Sequence, residues 1–136
     1  MEAILARRSI RKYTDQPVPD GVIKELLDAA MSAPSAGNQQ PWHFVVLRDR
    51  EILDEVPKFH PHSLMVKEAS AAILVCGDPT LEKHKGYWVQ DCTAATENIL
   101  IAAHARAREQ CGLGRTTTSW AMKSGLLLPV GHGKDK

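Results

Sequence analysis

Aromatic side chains are scarce in this chain: Phe, Tyr and Trp make up 5% of its 136 residues. Few of them accompany the basic residues, so the stacking surface that single-stranded RNA recognition needs is missing. A surplus of charge is missing too. The 17 basic and 16 acidic residues leave a formal net charge of +1, which argues against wholesale nucleic-acid binding and confines any anion site to a local cluster. Cysteine is limited to Cys76, Cys92 and Cys111, odd in number and widely spaced, with no CxxC pair. Neither a disulfide framework nor a zinc ribbon is indicated. Reduced thiols in a cytoplasmic protein are expected, with Cys76 and Cys92 as small core residues. No stretch approaches the ~20 apolar residues that span a bilayer, and the N-terminus lacks the apolar region of a signal peptide. No membrane association is expected.

What is present is a 43% hydrophobic chain, enough for a single compact domain over residues 1–136 with a modest core. Its basic charge gathers early. The segment Ala6-Arg7-Arg8-Ser9-Ile10-Arg11-Lys12-Tyr13 places three guanidiniums and a hydroxyl within five residues. Arg offers a planar fork of donors that meets phosphate oxygens two at a time, and Ser9 adds a short neutral donor. Such a cluster can grip a monophosphate, although standing alone it reads equally as a solvated basic surface. A second segment, Ala33-Pro34-Ser35-Ala36-Gly37-Asn38-Gln39-Gln40-Pro41-Trp42-His43, reads as a tight turn. Pro34 disfavours helix at Ala33, and Gly37 can adopt positive φ. Asn38 carries both an amide donor and a carbonyl acceptor, and so can pair with the edge of a pyrimidine-like ring. The plainer alternative is a helix-to-strand connection in which Ser35 and Asn38 satisfy backbone groups. Together the two segments suggest a phosphorylated heterocycle.

In this order and spacing the pair resembles the signature of the nitroreductase family, FMN-dependent reductases that take hydride from NADH or NADPH. The resemblance continues through His43 to Arg48, Ala71 to Cys76, and Tyr87-Trp88-Val89-Gln90-Asp91 onward to Ala105, and is clear over residues 1–105. It implies an α+β fold, a mixed or antiparallel sheet wrapped by helices, paired as a homodimer with FMN at the subunit interface. It further implies that Arg7, Arg8, Ser9 and Arg11 hold the FMN phosphate and ribityl end. Pro34, Ser35 and Asn38 would approach the ring, from the other subunit. No residue is assigned a catalytic role, because the flavin carries the redox chemistry while the protein binds and orients. NADH or NADPH would reduce it and leave, and a nitroaromatic, quinone or related small-molecule acceptor would then occupy the same face, a ping-pong order.

Residues 106–136 are atypical of that family. Gly112-Leu113-Gly114 and Leu126 to His132 echo its pieces, whereas Arg106 to Gln110 and Arg115 to Gly125 lose hydrophobic patterning. A divergent ending is one explanation and a shifted reading frame or truncation the other, with the second favoured. The alternative function is therefore a flavin-binding protein without turnover. Gly112-x-Gly114 lacks the strand and the further glycines of a dinucleotide fingerprint. His60, His62 and His84 with Asp78 offer no clear four-ligand geometry, so no metal is expected.

Hydrophobic periodicity predicts the elements that would carry these segments. Glu2 to Ala6 suits a short helix, and Tyr13 to Pro19 an extended connector. Val22, Ile23, Leu26, Leu27, Ala30 and Met31 mark an amphipathic helix over Asp20 to Ala33, with Asp20 as its N-cap. His43 to Arg48 and Ala71 to Cys76 read as buried strands. Between them, Glu51 to Val56 suits a helical turn and Pro57 to Met65 a mobile crossing near a substrate opening. Trp88, Cys92, Ala95, Ile99 and Ala102 form the stripe of a long helix suited to a core or a subunit interface, and that helix is the expected dimer contact.

Overall fold

A computed structural model describes residues 1–109, 120–122 and 125–130. In chain order it contains α1 (Glu2–Ala6), α2 (Asp20–Met31), β1 (Trp42–Leu47), α3 (Arg50–Phe59), β2 (Ala71–Gly77), α4 (Trp88–Glu109), β3 (Trp120–Met122) and β4 (Gly125–Val130). Short 3₁₀ segments occupy Ala36–Asn38 and Pro61–Glu68. The described strands form an antiparallel sheet in the order β1-β2-β4-β3. Trp42 stands opposite Gly77, Leu47 opposite Ala72, and Ala71 opposite Val130.

Side chains alternate across a strand, so this register sorts the sheet into two faces. Trp42, Phe44, Val46, Ile73 and Val75 share a cluster with Leu26 and Ala30 of α2 and with Cys92, Ala95 and Ile99 of α4. On the other face Leu47, Ala72 and Leu74 meet Leu53 and Val56 of α3 and Val66. A strand covered on both sides needs no polar alternation, which accounts for the unbroken apolar run in β2. The expected α+β architecture, an antiparallel sheet wrapped by helices, is what forms. Among the described residues no helix is long and apolar enough to cross a membrane.

Several local expectations change. Helix α2 begins with Pro19 as its N-cap, and Asp20 is its first helical residue, paired with Arg48 at 2.7 Å. Its carboxylate still lies at the positive end of the helix dipole. The helical turn expected over Glu51 to Val56 forms and extends into the longer α3, while the expected mobile crossing is instead the end of that helix and the 3₁₀ stretch after it. Asp49 caps α3 by accepting from the backbone N–H groups of Glu51 and Ile52 at 2.8 and 3.3 Å. Arg50 then ties the helix to the 3₁₀ stretch through the carbonyls of Ala69 and Val66, at 3.0 and 3.2 Å. That cap and the burial of Leu53 and Val56 outweigh the helix-breaking tendency of Pro57, which is itself buried near the helix end. Helix α4 runs past Ala105, and Arg106 forms an ion pair with Glu25 of α2. Cys92, Ala95, Ile99, Leu100 and Ala103, part of the apolar surface expected to serve a dimer, are buried in this chain's own core.

Candidate functional site

The basic segment is a short link between α1 and a deeply anchored tyrosine. Tyr13 is 1% exposed, its hydroxyl donates to the Ile10 carbonyl at 3.1 Å, and its N–H donates to Glu68 Oε2 at 3.3 Å. Burial raises the Tyr13 hydroxyl well above its ordinary pKa. The phenol therefore stays a donor and holds the end of the segment in place. Arg8 folds back, its Nη1 donating to the carbonyls of Leu5 and Arg7 at 3.2 and 2.8 Å. It thus satisfies a carbonyl that the end of α1 leaves open. Arg7 is half-buried and faces Glu97 of α4 at 3.7 Å. Ser9 and Arg11 are exposed. The four predicted phosphate residues share this link, with Arg8 committed to the backbone and Arg11 exposed.

The second predicted group sits on the connection from α2 to β1. Ser35 closes the turn from both ends: its carbonyl accepts from Asn38 N–H and its Oγ from Gln40 N–H, each at 3.0 Å. Gly37, Asn38 and Gln40 have φ of 62°, 54° and 49°. A left-handed backbone is ordinary for Gly37, but at Asn38 and Gln40 it costs energy that the surrounding bonds must hold. Pro34 is exposed at the start of the turn, and the exposed Asn38 side chain makes no hydrogen bond among the described residues. So the turn-residue alternative holds for Ser35, while the Asn38 amide group remains open.

Both groups are held by α4. Asp91 Oδ1 accepts from Ala36 N–H at 3.0 Å, and Asp91 is 6% exposed. Glu97 pairs with Arg7 two turns further along, about 9 Å up the helix axis at 1.5 Å per residue. The predicted residues therefore do not merge into one cluster; they meet a common support at separate places.

The residues that provide this support carry no site assignment from sequence. Asp91 was visible as an acid beside Cys92 in an otherwise apolar stripe. Gly77 gave no comparable signal: a Cβ there would stand 2.0 Å from Cε3 of the Trp88 ring. That close approach lets the first turn of α4 lie against the end of β2. Trp42, at the base of the turn, is buried, and its indole N–H has no acceptor among the described residues.

The remaining polar candidates have other partners. Cys92 is buried, its Sγ lies 3.8 Å from the Cys76 carbonyl, and burial first, then Asp91, pushes its thiol up to about 11. Cys92 is a core residue as expected, Cys76 is half-buried, and Cys111 lies outside the described residues. Asp78 accepts from the hydroxyl and the N–H of Thr80, which hold its carboxyl below the usual range, and lies 3.7 Å from His43 Nε2. His60 and His62 meet edge to face at 6.4 Å. Gly112-x-Gly114 also falls outside the described residues.

Residues 4–83 match the sequence model of the nitroreductase family. A protein of Methanothermobacter thermautotrophicus, provisionally named NADH dehydrogenase/NAD(P)H nitroreductase, is 53% identical over 118 residues. That match takes in 87% of this chain and 59% of the relative, so the chain spans about three fifths of the relative's length. Among solved structures, one of the same provisional name from Parabacteroides distasonis superposes with a TM-score of 0.85 at 34% identity, over 99% of this chain and 87% of that one. A provisionally named nitroreductase of Desulfovibrio desulfuricans, solved in complex with FMN, gives a TM-score of 0.80 at 26% identity, over 98% of this chain and 86% of that one.

Proposed function

The chain belongs to the nitroreductase family, and from that premise we propose that it is an FMN-dependent oxidoreductase, passing hydride from NADH or NADPH to nitroaromatic, quinone or related acceptors. The observation that carries this reading is the pairing described above. A donor-rich basic link and a left-handed turn with an open amide are both fixed to α4, through Arg7–Glu97 and Ala36–Asp91. The donors fit the group. Arg11 and Ser9 are exposed for a phosphate, Arg7 stands beside them, and Arg8 shapes the link by binding its backbone. Asn38 has both halves of an amide free for a ring edge, and Ser35 closes the turn that presents it, with Pro34 at its start.

FMN, when bound, would supply the hydride-transfer chemistry between the two molecules. The chain's own residues bind and orient. The guanidiniums offset phosphate charge, and Asp91 keeps the turn from relaxing out of its left-handed conformation. Since these groups take no proton or bond themselves, one open face can serve donor and acceptor in turn, which is the ping-pong order. A homodimer with the cofactor between subunits fits a further feature. Helix α1 buries no residue and presents Ile4 and Leu5 to solvent directly beside Arg7. A second copy would cover that surface and bring its own ring-side turn towards the basic link. The same reading places residues 1–136 in a single domain of a cytoplasmic protein that binds small molecules and neither membrane nor nucleic acid.

Two variants separate the assigned roles. Arg7→Ala with Arg11→Ala should lower FMN affinity at least tenfold, because charge-assisted phosphate contacts are lost. The apoprotein's unfolding midpoint should change little. Asn38→Ala should keep FMN but slow its reduction by NADH, through poorer ring orientation. Flavin fluorescence titration and stopped-flow reduction measure the two effects. Equal affinity in the arginine variant would remove the phosphate assignment, and an unchanged reduction rate would leave Asn38 a turn residue.

A further inference from the structure

The connection between β2 and α4 is built more firmly than a plain surface loop requires. Asp78 Oδ1 accepts from the Thr80 N–H and hydroxyl at 2.8 and 2.6 Å. Glu82 Oε2 accepts from the N–H of Gly86 at 2.7 Å and of Trp88 at 3.4 Å. Both acids of the loop are thus turned to its own backbone. Lys83, His84 and Lys85 between them are exposed, and neither lysine has an ion-pair partner among the described residues. His84 meets Tyr87 edge to face at 6.0 Å, and Tyr87 is 51% exposed. The loop also touches the candidate site. Lys83 Cδ lies 3.6 Å from the place a Cβ would take on Gly37, so the lysine stem crosses the ring-side turn one residue before Asn38.

We propose that this loop docks the pyrophosphate of the dinucleotide hydride donor on Lys83 and Lys85, with the His84–Tyr87 pair as a face for its adenine. The proposal rests on the FMN-reductase reading and adds where the donor is held. A nicotinamide ring placed beside Asn38 would lead its two phosphates outward past Gly37, where the Lys83 stem lies, with Lys85 two residues further along the same loop. Lysine is well matched to such a contact, because its flexible stem and compact charge hold a phosphate without the fixed bidentate geometry of arginine. A donor that must leave before the acceptor enters needs such a grip. Exposed charges are screened by salt, so donor binding should weaken steeply as ionic strength rises. NADH and NADPH share the pyrophosphate, and the loop treats them alike.

The test uses the FMN-loaded protein and the double substitution Lys83→Ala with Lys85→Ala. Both side chains are exposed, so FMN content and thermal unfolding should match the parent. Binding of tetrahydro-NADH, an unreactive analogue followed through the flavin spectrum, should weaken about tenfold, which corresponds to about 1.4 kcal/mol. Its salt dependence should flatten. Reduction by N-benzyl-dihydronicotinamide, a hydride donor without phosphate, should be unchanged. Unaltered analogue binding would overturn the proposal, as would an equal loss with the phosphate-free donor. A loss confined to the NADPH analogue would also overturn it, by placing the extra phosphate at the lysines instead of the pyrophosphate. Failure of the FMN-reductase reading looks different, because the parent itself would then take up no flavin.

Discussion

At the scale of single residues, the site depends on side chains that bind nothing themselves. Asp91 is buried within the first turns of α4 and spends an oxygen on Ala36 N–H, holding the backbone immediately before Gly37, Asn38 and Gln40, all at positive φ. Asp91→Ala would leave that half-buried N–H without its partner, at a cost towards the lower end of the about 1–3 kcal/mol of an unmet buried donor. FMN affinity should fall about tenfold, since the turn proposed to read the ring would be free to relax. Asp91→Asn keeps an oxygen able to accept and should lose much less. Urea unfolding and flavin titration on the same samples would show both losses, and a full-affinity Asp91→Ala would mean that the turn is held by its own internal bonds. Tyr13 acts similarly for the basic link. In sequence it stands next to Arg11 and Lys12, whose charges mask its role as the anchor.

At the scale of elements, α4 is the support to which both candidate groups are fixed, and its own placement depends on Gly77. A Cβ at that position would overlap the Trp88 ring. Gly77→Ala should therefore destabilise the protein by about 1–3 kcal/mol, the usual range for forcing extra volume into a packed contact. Cofactor affinity should fall with it, because the start of α4 carries Asp91. A variant as stable as the parent by thermal unfolding would show that Trp88 moves aside freely. The elements themselves were largely legible: the three-and-four spacing of α2 and α4 and the apolar runs of β1 and β2 follow directly from burial on one or both sides. Of helix α3 only the turn over Glu51 to Val56 was legible, because Pro57 reads as a breaker in sequence, whereas the Asp49 cap and the packing of Leu53 and Val56 act only in the folded chain. Asp20 misled for a related reason. Its acidic charge suits a helix start, but the geometry gives the cap position to Pro19 and the carboxylate to Arg48. The candidate binding residues stood out by type and spacing, while Asp91 and Gly77 matter through contacts across 55 and 11 residues of chain, which local patterning does not display.

At the scale of the whole molecule, the family's sheet is in place with helices on both faces, and β4 pairs with β2 even though it comes from the region where the resemblance is weak. The described core draws Val130 into the same cluster as α2 and α4, so the fold does not wait on the family's usual patterning after Ala105. Under the proposed function, the whole molecule holds its cofactor between two copies and admits a donor that reaches it. Anything that binds the folded dimer alone stabilises it by mass action, so flavin content, assembly and reduction should stand or fall together. The most direct measurement is the visible spectrum of the purified protein, taken without oxygen before and after NADH is added, alongside sedimentation monitored at the flavin band. The account predicts a yellow protein with FMN stoichiometric to the chain, flavin absorbance that sediments with a dimer, and bleaching on addition of NADH. A colourless protein that takes up no added FMN would contradict it, and so would a yellow one that NADH leaves unbleached.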